Sequence, residues 1–412
     1  MNLKALSRIL LPYRARFFIK TVFVQIYKIK NGLKNVNTNF DLTIIGDDVS
    51  NTFFGYYDIS PFNEKDELVY LEVLDGKNYA NIVWNNSNGK DKKIVAKTNA
   101  WNTQQGARLR WFPNSNAEIC FNDFVDGKYV NRKINLETYR ESLIDSAIYD
   151  ISSDGRYGVT LDFERLGVLR PGYGYTNDNY CAKLDLSEEG ISIVDMNTGH
   201  SKKVVTYKDI TNALGQEIDD YSQYYINHLS FSPNGEKFLF FWLKNINNWA
   251  EASLLTYEIK TSRIVVLENE MRVSHYTWLD NETILCTAIK GSSVYNMECR
   301  YYVYREGFPR QIVGKDILQR DGHPTLYKNH IILTDTYPDN MSFQELFLYD
   351  LDNNIKKRLV YSYSVYVRDS VYRTDMHPRF NYNKTKICYD ANVNGHRHLY
   401  VLNNFDKDHA FN

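Results

Sequence analysis

Four histidines occupy the same place in four successive repeats of this 412-residue chain. Asn227-His228 leads into Leu229-Ser230-Phe231 and the turn Ser232-Pro233-Asn234-Gly235, and Ser274-His275, Gly322-His323 and Met376-His377 open the corresponding segments. Each segment reads as a short strand that ends in a polar turn and is followed by a second, apolar strand. An imidazole supplies either a metal-binding lone pair or a titratable proton, depending on what its other nitrogen bonds. Equivalent positions of a closed circular repeat point at one axis. The four rings therefore define a candidate metal or proton-transfer site, and repeat packing by itself demands no imidazole there.

Three earlier units extend the series. Ser60-Pro61-Phe62-Asn63 precedes an expected strand at 67–73, Trp111-Phe112-Pro113-Asn114 precedes one at 118–121, and Ile151-Ser152-Ser153-Asp154-Gly155 precedes one at 157–161. Outer hairpins follow, such as 191–195 turning at Asn197-Thr198-Gly199 and 346–350 turning at Asp352-Asn353-Asn354. The turns recur roughly every 40–55 residues, the size of a four-stranded blade, and one gap of about 80 holds an insertion at 163–190. The expected fold is all-β: a seven-bladed β-propeller over residues 36–412, preceded by a short basic helical arm, residues 1–35. The last unit offers only three strands. Residues 39–45 are expected to supply its outer strand and lock the ring.

Blade geometry then selects the loops that neighbour the histidines, because the second strand of a blade returns to the rim where the first begins. Asn122-Asp123, the insertion from Asp162, the run Thr334-Asp335-Thr336-Tyr337-Pro338-Asp339 and Asp390-Ala391-Asn392 fall on that face. The other blades put Tyr56, Arg108 and Ile148 at the histidine position. The insertion brings Arg165, Arg170 and Gly172-Tyr173-Gly174-Tyr175, which read as a bendable loop with exposed rings. His200, His330, His396 and His398 read as solvated turn residues.

The charge balance, 49 basic against 50 acidic residues, gives no reason to expect nucleic acid as a partner. Its distribution is uneven. Residues 1–34 carry Lys4, Arg8, Arg14, Arg16, Lys20, Lys28, Lys30 and Lys34 and no acid, which leaves about −9 on the rest. Leu3, Leu6, Ile9, Leu10, Phe17, Ile19, Val22 and Phe23 interleave with these bases in a partly helical pattern, as in an arm that lies on an anionic membrane. The five cysteines are widely spaced without a Cys-x-x-Cys pair, which points to a reducing compartment. No apolar stretch approaches the roughly 18 residues of a membrane span. The expected location is the cytoplasm, at the inner face of the membrane through the arm.

The last unit runs His377-Pro378-Arg379-Phe380-Asn381-Tyr382-Asn383-Lys384, then Tyr389-Asp390-Ala391-Asn392, then Leu399-Tyr400-Val401. It resembles the TolB-like propellers and, among them, the oligogalacturonate lyases, and the repeat-level similarity spans residues 50–402. That resemblance implies a divalent metal in the channel, manganese first and calcium or magnesium as alternatives. His377 matches the histidine of the family's last His-Pro pair, Asp375 falls on its upstream partner, and Tyr372 stands near the family's glutamine. It also implies β-elimination on a uronate, which needs a cation at the carboxylate, a base for the C5 proton and a donor for the leaving oxygen. Joined to the ring geometry, this puts a metal on His275, His323, Asp375 and His377. His228, Arg165 or Arg170 would be the base, and Tyr173 or Tyr175 the donor. The expected function is a lyase acting on an acidic oligo- or polysaccharide. The alternative is a non-catalytic glycan-binding or assembly protein in bacterial cell-surface polysaccharide biosynthesis, which would use a membrane-seeking arm.

Overall fold

Short strands rich in β-branched and aromatic residues build the molecule, and their interior positions are buried on both faces. Leu68–Leu74 and Ile387–Asn392 show this pattern, as expected for strands that pack between neighbouring sheets. The computed structural model describes residues 13–86, 91–176, 186–246, 249–291, 298–328, 330–365, 367 and 369–405. These residues form seven antiparallel sheets in chain order, over residues 50–98, 110–144, 150–206, 224–268, 272–313, 325–363 and 379–403. They are blades 1 to 7 of a seven-bladed β-propeller. Apolar clusters bridge adjacent blades. One joins Phe53, Val69 and Ile82 of blade 1 to Ile119 and Phe121 of blade 2 and Leu399 and Val401 of blade 7.

Ring closure follows the sequence expectation. Asp41–Ile45 pairs antiparallel with Arg397–Asn403, from Asp41↔Asn403 to Ile45↔Leu399, and so becomes the outer strand of blade 7. A second staple was not foreseen. Val36–Asn37 pairs with Ile355–Tyr363 and adds a fifth strand to blade 6. The chain thus covers the outer edges of two neighbouring blades before the first inner strand, Ser50–Phe53, begins.

Three α-helices are described. Helix α1 spans Tyr13–Asn31, and residues 1–12 of the arm lie outside the described residues. Helix α2, Phe163–Leu169, starts the insertion, with the Asp162 side chain accepting from the Arg165 amide. Helix α3, Tyr207–Leu214, is held by a reciprocal Thr206–Asp209 cap and ends at Gly215 in the left-handed region. Residues 177–185 of the insertion lie outside the described residues. No described helix is long and apolar enough to cross a membrane.

Two expectations need correction. The Gly-Tyr segment is packed: Tyr173 and Tyr175 are both buried, and a Cβ on Gly174 would lie 2.2 Å from the Gly167 amide nitrogen. Its glycines permit close approach of loop and helix, so the rings have no room to swing out. His398 likewise is no solvated turn residue. It is buried in the strand Arg397–Asn403, with Nδ1 3.5 Å from the Thr52 hydroxyl.

Candidate functional site

The inner strands deliver the histidines through local irregularities. His228 and His275 lie inside the strands Tyr224–Phe231 and Arg272–Trp278, where the register slips between Asn227 and Ser230 and between Val273 and Tyr276. A bulge leaves an unpaired residue and re-aims its side chain. His228 (φ 58°) and His377 (φ 45°) adopt the left-handed backbone that histidine tolerates better than most residues. His323 and His377 stand two residues before the inner strands Thr325–Lys328 and Arg379–Phe380, each followed by a proline.

All four rings converge. Ring centroids are 4.2 Å apart for His275 and His323, 4.5 Å for His323 and His377, and 6.1 Å for His228 and His275. Tyr56 fills the middle, with its ring 4.8 Å from His377, 5.4 Å from His228, 6.0 Å from His323 and 6.3 Å from His275. Its hydroxyl is buried without a hydrogen-bond partner among the described residues.

Each metal-competent ring is fixed from behind. The register Thr325↔Leu333 sets Asp335 across from His323, and both Asp335 carboxylate oxygens lie 2.9 Å from His323 Nδ1. The same carboxylate accepts the backbone amides of His323 at 2.7 Å and His377 at 3.3 Å. His377 Nδ1 lies 3.0 Å from the Gly55 carbonyl, to which it donates. These partners hold the proton on Nδ1 and leave Nε2 as the free atom. Nε2 of His323, Nε2 of His377 and Oδ1 of Asp375 are all buried without a partner among the described residues. Ligand atoms of these three residues lie within 4.8 Å of one another. Unpaired buried polar atoms are costly, and three at one point, each oriented by a further partner, fit a divalent cation. One carboxylate oxygen with two imidazole nitrogens makes a mixed oxygen–nitrogen donor set for such a cation.

His275 stands beside this trio. Its Nδ1 is 2.9 Å from Asp321, whose carboxylate also accepts from the Ser274 and Thr287 hydroxyls, each at 2.6 Å. Burial works against the Asp321 anion, but His275 and the two hydroxyls outweigh it and hold the carboxyl well below its ordinary range. Burial, then His275, pushes His228 well below the ordinary imidazole range, so it is neutral with an unpartnered Nδ1. Burial opposes the charge on His323, yet Asp335 overcomes it and raises that ring.

Above the rings lie half-buried arginines. The Arg170 guanidinium sits over the Tyr173 ring, 5.0 Å from its centroid, and makes no hydrogen bond or ion pair among the described residues. Arg373 donates to Asp375 Oδ2 and to the Tyr173 hydroxyl, each at 2.8 Å. Burial, with Arg170 nearby, lowers Arg272 from the ordinary guanidinium range.

The expected residues therefore separate. His228, Arg170, Tyr173, His275, His323, Asp375 and His377 come together at the channel mouth. Arg165 and Tyr175 do not. The Arg165 guanidinium donates to the backbone carbonyls of Tyr221, Ser222 and Tyr224, and Tyr175 stacks on Phe163 at 4.7 Å while accepting from Asn122. Arg108 likewise turns to Asp58 in a two-pronged pair at 2.8 and 3.1 Å. Sequence reasoning gave no role to Asp335, Asp321, Arg373 or Tyr56. Only the placement of Thr334–Asp339 on the histidine face, and of Tyr56 at the ring position, pointed towards two of them.

No protein-family model matches the chain, and no curated protein matches it by sequence. Solved structures do match. An oligogalacturonate lyase in complex with manganese is 13% identical, with a TM-score of 0.65 over 91% of this chain and 96% of that one. The oligogalacturonate lyase of Vibrio parahaemolyticus is 12% identical, with a TM-score of 0.63 over 90% and 96%. Identity this low shows a shared fold, here over nearly the full length of both partners.

Proposed function

We propose that the chain is a metal-dependent lyase that cleaves an acidic, uronate-containing saccharide by β-elimination. The observation that carries this reading is the convergence of three buried, unpartnered ligand atoms on His323, Asp375 and His377 beneath an arginine-lined mouth. A divalent cation held there would neutralise the uronate carboxylate and acidify the C5 proton. His275, supported by Asp321, borders the trio and would be a further ligand. Arg170 carries no countercharge among the described residues and would receive a substrate carboxylate. Neutral His228 takes the C5 proton at Nδ1 as the C4–O bond breaks and the C4=C5 bond forms. Tyr173, bonded to Arg373, donates to the leaving oxygen. The arm's contact with an anionic membrane is a separate part of the proposal, independent of the lyase chemistry, with the body on the cytoplasmic side.

The test is incubation with uronate oligosaccharides. A rise in ultraviolet absorbance from a 4,5-unsaturated product is expected, abolished by chelator and restored by manganese. His228→Ala should lose about 10²–10⁴ in rate, and His377→Ala should lose metal and activity together. His330→Ala is the control, because that side chain is 58% exposed. Full activity in both channel variants contradicts the mechanism. Binding without turnover in the metal-loaded protein supports the second reading, an assembly protein for cell-surface polysaccharide, which the exposed apolar row of α1 favours.

A further inference from the structure

Helix α1 presents its apolar residues away from the protein. Phe18 (68% exposed), Val22 (41%), Ile26 (56%) and Ile29 (81%) form one row, with Ile19 and Phe23 beside it. At 100° per residue these six cover an arc of about 140°. Val24, the one buried residue among the described side chains of the helix, faces the opposite way, and Tyr27, whose ring lies 6.2 Å from Phe343, borders the stripe on the protein side. A surface helix ordinarily turns its apolar stripe to the core, so a contiguous stripe left in solvent marks a contact surface. The arm holds eight basic residues and no acid over positions 1–34, and the rest of the chain is net acidic. Its complement is an anionic lipid surface.

The position of α1 adds a direction. The strand Ile331–Asp335 ends at the channel mouth, since Asp335 holds His323 there. Phe343–Asp350 starts from the same rim, and its first residue pairs with Tyr363. Tyr27 packs on Phe343, and the Lys28 ammonium lies 5.6 Å from the centre of the Tyr363 ring. A half-open cleft of about 570 Å³ lies beside this contact, lined by Tyr27, Asn31, Leu33, Thr336, Asp339 and Tyr361 among others. The root of the helix is thus on the mouth rim.

From this we infer that α1 docks the propeller on an anionic bilayer with its channel mouth towards the membrane, so that the saccharide it takes is one held at that membrane, such as an acidic glycan on a lipid carrier. The saccharide part rests on the function proposed above, and the docking part does not.

Full-length protein is sedimented with phosphatidylcholine vesicles, with and without phosphatidylglycerol, in the absence of saccharide. Wild type should pellet with the anionic vesicles and be released by salt. The variant Phe23→Ser/Ile26→Ser/Ile29→Ser should stay in solution with an unchanged unfolding midpoint, because these side chains are exposed. A fluorophore at position 372, on the mouth side and 64% exposed, should be quenched by a nitroxide headgroup lipid. One at Asn234, in the turn of the opposite rim, should not. Absence of wild-type pelleting, or a wild-type dimer that the triple variant makes monomeric, overturns docking, and quenching at 234 overturns the orientation. Vesicles carrying a uronate-terminated lipid should bind about 10²-fold more tightly than phosphatidylglycerol vesicles of equal charge. If free uronate oligosaccharide binds but this increment is missing, the membrane-held substrate is wrong. If neither occurs, the failure lies with the proposed function instead.

Discussion

At the residue scale, the ring positions divide between the proposed metal site and the packing of the fold. Asp335 touches no substrate in the proposed mechanism, but it orients His323 and ties down the His377 backbone. Asp335→Asn should therefore weaken divalent metal binding about 10–100-fold in a metal titration while the protein stays folded. Arg108 sits at the equivalent position of blade 2 and serves the fold. Arg108→Ala leaves the nearly buried Asp58 carboxylate unpaired and should cost about 3–5 kcal/mol in chemical denaturation. Burial pushes the Cys120 and Cys388 thiols up to about 12. A raised thiol pKa keeps the unreactive protonated form, so disulfide reagents at pH 8 should modify neither residue until the protein unfolds. The histidines were legible because four imidazoles at one register are conspicuous. Asp335 was harder to see. It comes from the next strand, twelve residues beyond His323, and only the pairing register reveals the contact. Tyr175 misled for the opposite reason, since loop tyrosines beside glycines look alike whether they project or pack.

At the element scale, the N-terminal staple decides whether the ring closes. Ile45 is buried among Phe53, Leu399 and Val401, where blade 7 meets blade 1. Ile45→Ala should cost about 2–5 kcal/mol, measured as a fall in the denaturation midpoint. Deleting residues 36–45 exposes strand edges on blades 6 and 7 together, and the expected outcome is aggregation on expression. The outer strand of blade 7 was foreseeable because the last unit is one strand short. The two-residue strand Val36–Asn37 carries too little pattern to be seen, and bulges such as the one at His228 leave no mark on hydrophobic periodicity. The repeat spacing predicted the blades, whereas the aim of each side chain within a blade came only from register and backbone angle.

At the scale of the whole molecule, seven sheets closed into a ring give one face where inner-strand residues from different blades meet. In the proposed function this meeting point holds a metal. The most direct measurement is elemental analysis of the full-length protein after equilibration with manganese and removal of excess, beside Asp375→Ala and His377→Ala treated identically. A stoichiometric, chelator-removable divalent metal is expected in the wild type, lost from both variants while they remain folded. Wild-type protein that retains no metal, or variants that retain it fully, would contradict it.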